Sequence, residues 1–310
     1  MKIKIPVFFS CDDRYIPFLS VAIKSLMENA SDEYLYDIIV LYSGNNALNI
    51  EKIQAMQRDN FTIKFKDVSE KLQRLTKNLH LRDYYTISIY FRIFIPSLFP
   101  AYKKAIYLDS DVVVLGDISE LYFTELGNNL LAGVSDEVIA SRKEFIDYAE
   151  LGVGIKYDRY FNSGMMLMNL ELMREMDIEG VFANMLNTYD FKTVCPDQDY
   201  LNVICKDRVL YIDKGWNKMA LDDSYDGVPK IIHYNNFSKP WLYDNVCYRE
   251  HFWAYANICP FIEEIKRIRS SFSKADEQRN IDGAMNLVAS TIEIVNDENN
   301  FAKVLFNGVL

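Results

Sequence analysis

The chain has 310 residues, half of them hydrophobic and a quarter charged, with a formal net charge of −10. That supplies ample apolar material for a large core, and the acidic balance excludes duplex nucleic acid, whose binding needs a basic surface to displace counterions. The five cysteines (Cys11, Cys195, Cys205, Cys247 and Cys259) are scattered, odd in number and without a CxxC pair, so neither a disulfide framework nor a cysteine zinc site is expected.

Residues 3–10 read as a buried strand, closed by Cys11-Asp12-Asp13-Arg14. Its basic start and short apolar stretch do not make a secretory signal, and no run is long enough for a membrane span, so a reduced, cytoplasmic protein is expected. Phe18, Val21, Ala22 and Leu26 keep helical spacing and predict a helix over 15–28. Aspartate favours helix N-caps, so Asp12 and Asp13 are expected to cap it, alone or while also binding a ligand. A strand over 36–42, a helix over 50–57, an alternating strand over 61–68 and a helix over 85–98 follow. The aromatic cluster Tyr84, Tyr85, Tyr90 and Phe91 reads as core, with an acceptor platform as the lesser reading.

Residues 106–117 read IYLDSDVVVLGD, an apolar strand that delivers Asp109 and Asp111 and then runs on as a second strand. Beyond it the pattern mixes short strands (130–134, 164–170, 209–213, 230–234) with helices over 171–189, 199–205 and 284–295. The fold class is α/β: a mixed, mostly parallel central sheet with helices on both faces. The second half adds to the same sheet, giving one catalytic domain over 1–268 and a small helical appendage over 269–310.

Carboxylates inside an apolar strand need a partner or a cation. A spacing of two puts Asp109 and Asp111 on the same side of extended chain, where they can grip one ion. In parallel sheets ligands bind beyond the carboxyl ends of the strands, and the Asp12-Asp13 pair falls there too. His233 follows the apolar pair Ile231-Ile232. Alone it reads as a hydrogen-bonded core histidine; with two carboxylates it makes an O, O, N set suited to Mn²⁺, with Mg²⁺ as the second candidate. Lys239, a short turn later, is placed to neutralise phosphate.

Five segments occur in an order that resembles glycosyltransferase family 8, the retaining nucleotide-sugar enzymes of the GT-A fold: IPVFFSCDDRYIPFLSVAIKSL, YLDSDVVVLGDISELY, YFNSGMMLMNL, PDQDYLN and HYNNFSKPW. The resemblance extends from about residue 5 to 268. It implies that Asp109, Asp111 and His233 hold Mn²⁺ against a donor diphosphate. It further implies that Asp12 binds the uracil edge, Tyr15 stacks on the ring, and Ser10 and Cys11 give backbone contacts. Ser110 joins this donor-binding set, and Lys239 and the backbone at Asn236 contact phosphate. Arg92, Asp136, Asn162 and Asp197 line the donor sugar. Gln198 faces the anomeric carbon, and a front-face displacement through an oxocarbenium-like state is favoured because an amide is a weak nucleophile; Asp197 is the alternative. The implied reaction moves glucose or galactose from a UDP-sugar to a bacterial surface-glycan or glycolipid acceptor, such as a lipopolysaccharide core. Asn236 stands where family members carry glycine, and asparagine tolerates the positive φ such a turn needs.

Two other functions fit parts of the sequence. The apolar-DxD string also fits haloacid-dehalogenase-like phosphatases, with Lys218 and the Asp222-Asp223 pair in the later roles, but that motif opens its domain and here three strands precede it. A GT-A module that binds a sugar nucleotide without turnover is the other. Residues 243–268 are aromatic-rich, so peripheral contact at the inner face of the membrane is a lesser expectation. A membrane-surface helix is basic on its polar face, and here the charges balance, so packing on the catalytic domain is favoured.

Overall fold

Seven strands form the central sheet of the computed structural model, which describes residues 2–68 and 87–306. They are β1 (Lys4–Cys11), β2 (Leu35–Tyr42), β3 (Phe61–Asp67), β4 (Lys104–Leu108), β6 (Leu131–Gly133), β7 (Met165–Asn169) and β8 (Val209–Tyr211). Their order is β3-β2-β1-β4-β7-β6-β8, and only β7 runs antiparallel to the rest. A second sheet joins β5 (Val112–Val114), β10 (Ile231–His233) and β9 (Lys218–Met219), with β10 between the other two.

The continuous apolar strands follow from burial on both faces. Ile5, Val7, Phe9 and Cys11 of β1 enter one core, formed with the helix Ile16–Asn29, while Phe8 enters the other. The same period of two divides Met165 and Leu167 of β7 from Met166 and Met168. Tyr90 and Phe91 are fully buried in the second core, as the core reading required; Tyr84, Tyr85 and residues 85–86 of the expected helix lie outside the described residues. The described part of that helix is 3₁₀ over Ile87–Phe94 and α over Ile95–Leu98.

Several sequence expectations shift. The helix expected over 171–189 is two, Leu170–Glu175 and Ile178–Tyr189, broken where Asp177 takes a left-handed φ of 49°. The DQD helix starts earlier than expected, at Pro196 (Pro196–Ile204), because a proline fits the first turn, where its missing N–H costs nothing. The last long helix spans Lys274–Asn296, opened by a Ser273–Asp276 capping box that makes the polar stretch helical as well. Neither Asp12 nor Asp13 caps the helix that begins at Ile16: the N-cap is Tyr15, without a side-chain bond.

In the 243–268 segment, Phe252, Phe261 and Ile265 are buried in the first core. Trp241, just before it, stacks on Phe18 with centroids 3.7 Å apart. These aromatic residues are thus engaged internally. Among the described residues no helix is long and apolar enough to cross a membrane. All five cysteines are free thiols.

Candidate active site

Asp109 and Asp111 lie in the turn after β4, beyond its carboxyl end, where the chain leaves one sheet for the other. The sequence reading that put them within the strand is corrected by one turn. Main-chain bonds fix both sides of that turn: Asp109 N donates to Gly164 O at 2.8 Å, and Tyr234 N donates to Asp111 O at 3.0 Å. Antiparallel pairing then sets Val112 opposite His233. Residues more than a hundred positions apart therefore meet, and the oxygen and nitrogen ligand atoms of Asp109, Asp111 and His233 all lie within 4.8 Å of one another.

The imidazole is oriented from behind. Asn217 Nδ2 donates to Asn162 Oδ1 (2.9 Å), which leaves Asn217 Oδ1 to accept from His233 Nδ1 at 3.1 Å. That chain of bonds assigns the proton to Nδ1 and turns a bare Nε2 toward Asp111 Oδ1 (3.3 Å) and Asp109 Oδ2 (3.8 Å). Gly164 is required by this crowding: a Cβ there would lie 2.3 Å from His233 Cε1 and 2.7 Å from Asp109 Oδ2. Two carboxylates and one neutral imidazole, supported by a second layer, fit a hard or borderline divalent cation.

Cations of the protein compensate the acids. Lys239 Nζ is 2.5 Å from Asp111 Oδ2 and also donates to Tyr234 O at 2.6 Å. Burial raises the Asp111 carboxyl, but the Lys239 charge and hydrogen bond overcome this and hold it below its ordinary range. Arg92 is buried and fully employed. It donates to Asp109 Oδ1 (2.8 Å) and to Ser163 O and Oγ (both 2.8 Å), and its Nε lies 3.1 Å from Asp197 Oδ2. It therefore acts as a brace between the metal-ready cluster and the DQD helix. Tyr107, under its guanidinium, donates to Asp109 Oδ1 at 2.9 Å.

The DQD side is a closed amide network. Gln198 Oε1 accepts from Ser163 N (2.9 Å) and Asn162 Nδ2 (3.2 Å), while its Nε2 donates to Asp136 Oδ2 (3.0 Å). Asn162 Nδ2 also donates to Asp136 Oδ2 at 2.9 Å, and Ser163 Oγ donates to Asp197 Oδ2 at 2.9 Å. Burial pushes the Asp197 carboxyl above its ordinary range against the lowering effect of Arg92. Asp199 is buried beneath the site and accepts from Tyr148 (2.6 Å) and Tyr160 (2.5 Å); burial pushes it up to about 6 despite those bonds.

On the β1 side, Asp12 is held by Arg14, whose backbone N (2.9 Å), Nε (3.1 Å) and Nη2 (2.9 Å) all donate to it. Asp13 accepts from Tyr42 OH and from Asn45 N at 3.2 Å. These bonds replace the expected capping. Burial and the neighbouring Asp12 and Asp13 push the Cys11 thiol well above its ordinary value. Asn236 has the left-handed φ of 54° that the glycine-replacing turn demands.

The residues that the family resemblance assigns to donor, metal and catalysis, from Ser10 to Lys239, all line one cavity of about 960 Å³, whereas Asp13 does not. Tyr107, Ser163, Gly164 and Asn217 were not singled out. The first three sat inside quoted motifs, whereas nothing in the sequence marked Asn217. Lys218 and Asp222, which a phosphatase would use, do not line the cavity. Lys218 is instead buried against Glu137 (3.0 Å) and 3.4 Å from Asp222.

The fold is shared with solved glycosyltransferases. The crystal structure of the galactosyltransferase LgtC in complex with donor and acceptor sugar analogs matches at a TM-score of 0.68 and 25% identity, covering 83% of this chain and 96% of that one. The apo structure of the bifunctional glycosyltransferase WbbM matches at a TM-score of 0.74 and 28% identity, covering 87% of this chain and 52% of that one. The architecture is thus the GT-A glycosyltransferase fold.

The profile of Glycosyl transferase family 8 matches residues 6–245, and the chain belongs to that family. Glycosyltransferase GlyB of Streptococcus pneumoniae serotype 4 (strain ATCC BAA-334 / TIGR4) is 28% identical over 270 residues, covering 80% of this chain and 61% of its own length. Lipopolysaccharide 1,2-glucosyltransferase of Escherichia coli (strain K12) is 26% identical over 262 residues, covering 78% of this chain and 75% of its own. This chain therefore spans about three fifths of GlyB.

Proposed function

We propose that the protein is a retaining hexosyltransferase that moves glucose or galactose from a UDP-sugar to a glycan or glycolipid precursor of a bacterial surface, such as a lipopolysaccharide core, in the cytoplasm. Residues 1–268 form the catalytic domain in this reading and residues 269–310 a helical element appended to it. The observation that carries it is the meeting of Asp109, Asp111 and His233 beside Lys239 in one cavity with the DQD helix. The names of relatives and of solved neighbours, a lipopolysaccharide glucosyltransferase and a galactosyltransferase, support the substrate class.

Asp109, Asp111 and His233 would hold Mn²⁺, or Mg²⁺, which when bound supplies a Lewis acid against the charge of the departing diphosphate. Lys239 is the protein's own cation for that charge, since the Asp111 carboxylate beside its buried ammonium outweighs burial and shifts it further toward the protonated form. Asp12 and Tyr15 receive the uracil, with Ser10, Cys11 and Ser110 along the nucleotide and Asn236 at the phosphate turn. Burial keeps the Cys11 thiol protonated, which suits a backbone contact. Asp136, Asn162 and Asp197 read the sugar hydroxyls, with Arg92 fixing Asp197.

The bond from the anomeric carbon to the β-phosphate oxygen breaks and its electron pair leaves with UDP. The acceptor oxygen bonds to the anomeric carbon on the same face, and the acceptor proton passes to the departing phosphate oxygen. A front-face course is supported by the state of both candidate nucleophiles. Gln198 Oε1 already accepts two hydrogen bonds, and the Asp197 carboxylate is occupied by Arg92 and Ser163.

The test is UDP release from a panel of UDP-sugars with and without Mn²⁺. Metal-dependent release from one hexose donor is expected. No release, together with no UDP binding by calorimetry in Mn²⁺, would sink the reading.

A further inference from the structure

The family match stops at residue 245, yet the cavity does not. Glu264 and Ile268 line it from the helix Ile262–Ser271, and Asn280, Gly283, Asn286 and Leu287 from the helix Lys274–Asn296. Each set keeps to one helical face: positions 264 and 268 are a turn apart, and 280, 283 and 287 recur at intervals of three and four.

The long helix is fastened at both ends to the two sides of the site. Near its start, Asn280 Nδ2 donates to Tyr243 OH at 2.9 Å, and Tyr243 N donates to the carbonyl of Lys239 at 3.0 Å. At its far end, Glu293 pairs with Lys192 (2.6 Å), six residues before Gln198, and Asp297 lies 3.3 Å from the same lysine. The following helix, Phe301–Phe306, sets Phe301 against Phe191 and against Tyr200 of the DQD helix, with centroids 4.2 and 5.0 Å apart. The helix therefore spans from the phosphate turn to the DQD segment and closes the cavity opposite the strand ends.

We propose that this helix is the acceptor wall, and that the acceptor it reads is an uncharged sugar, with hydroxyls on Asn280, Asn286 and Glu264 and an apolar face on Ile268 and Leu287. The inference rests on the glycosyltransferase reading above. An amide both donates and accepts, which matches a hydroxyl. Asn286 is exposed and lines the cavity, and its side chain makes no hydrogen bond among the described residues. The Glu264 carboxylate accepts from hydroxyls, and because its 3.6 Å pair with largely exposed Arg267 is screened by solvent, it still disfavours a phosphorylated or uronic acid sugar. Leu287 and Ile268 offer the flat apolar contact that the C–H face of a pyranose takes.

The experiment uses the full chain, Mn²⁺ and the UDP-sugar that it hydrolyses, with p-nitrophenyl glucoside, galactoside and lactoside as neutral acceptors and p-nitrophenyl glucuronide as the anionic one. Sugar transfer and UDP release are measured in the same reaction. Neutral acceptors are expected to outperform the glucuronide by at least about 10-fold in kcat/KM. Asn286→Ala, at an exposed position, and Leu287→Ala, at a half-buried one, are expected to raise the acceptor KM by about 10-fold each and to lower the ratio of transfer to hydrolysis, with little change in kcat. Glu264→Gln is expected to narrow the discrimination against the glucuronide. A wild-type acceptor KM in both alanine variants, equal use of the glucuronide, or donor hydrolysis with no transfer to any neutral glycoside overturns this inference alone. Absence of UDP binding overturns the donor reading and this one with it.

Discussion

The two halves of the cavity are built on different principles. The half formed by Asp109, Asp111, His233 and Lys239 is a charged cluster whose partners must change when a ligand arrives: Lys239 sits on Asp111, the carboxylate that a cation would claim. The half formed by Asp136, Asn162, Ser163 and Gln198 is a hydrogen-bonded lattice with donors and acceptors matched throughout. The first half is poised to exchange partners, and the second is already in place and has little to reorganise. Arg92 joins them, holding Asp109 with one nitrogen and Asp197 with another. Binding and positioning are thus separable, and substitutions can pull them apart.

The largest effect is expected on the charged side. Asp111→Asn removes a ligand charge but keeps a polar partner for buried Lys239, which an alanine would strand. It should cut Mn²⁺-dependent UDP affinity by at least about 100-fold in calorimetry while the far-ultraviolet circular dichroism stays native; retained affinity removes Asp111 from the cluster. On the lattice side, Gln198→Ala should lower kcat on the order of 100-fold with donor Kd changed little. An unchanged turnover number would take Gln198 out of the mechanism.

Asn217→Ala touches neither ligand nor substrate. Because it frees the His233 ring to turn, it should weaken Mn²⁺ binding by about 10-fold or more, the usual range for a residue that orients a metal-binding histidine. Gly164→Ala should act in the same direction, roughly 10-fold, by pushing His233 and Asp109 apart. Manganese titration followed by electron paramagnetic resonance checks both, and wild-type affinity in either would show that the cluster tolerates disorder.

The smallest effect is on stability. The folded Asp199 carboxyl titrates at about 6, above its ordinary value of 3.8. Its raised value means a stability contribution fully present below about pH 4 and lost as pH rises through about 6. Asp199→Asn has no such titration, so the wild-type Tm minus the variant Tm should fall by a few degrees between pH 4 and pH 7. A constant difference across that range would show that Asp199 does not titrate there.

Much of the fold was legible because burial on both faces writes a strong local signal: 5–9, 38–42 and 105–108 are unbroken apolar runs, and each lies in a strand. Breaks that depend on one dihedral angle left no such signal, as at Asp177, and capping chemistry misled at Asp12 and Asp13 because Arg14, Tyr42 and Asn45 compete for the same oxygens. The candidate residues were legible because carboxylates and amides in apolar surroundings must answer to something. Which of them brace and which face the cavity was not. Arg92 sits among the sugar-lining candidates in the sequence, yet its donors are spent on Asp109, Asp197 and Ser163.

By itself the sequence determined which residue types are present and where along each strand they fall, because propensity and alternation act over a few neighbouring positions. It thereby determined the family, the two carboxylates of the DxD turn and the left-handed tolerance of Asn236. Only tertiary structure decided that His233 lies beside Asp111, that Asn217 holds its Nδ1, and that the helix Lys274–Asn296 lines the cavity. Those are contacts between residues tens to more than a hundred positions apart, set by strand register and helix packing.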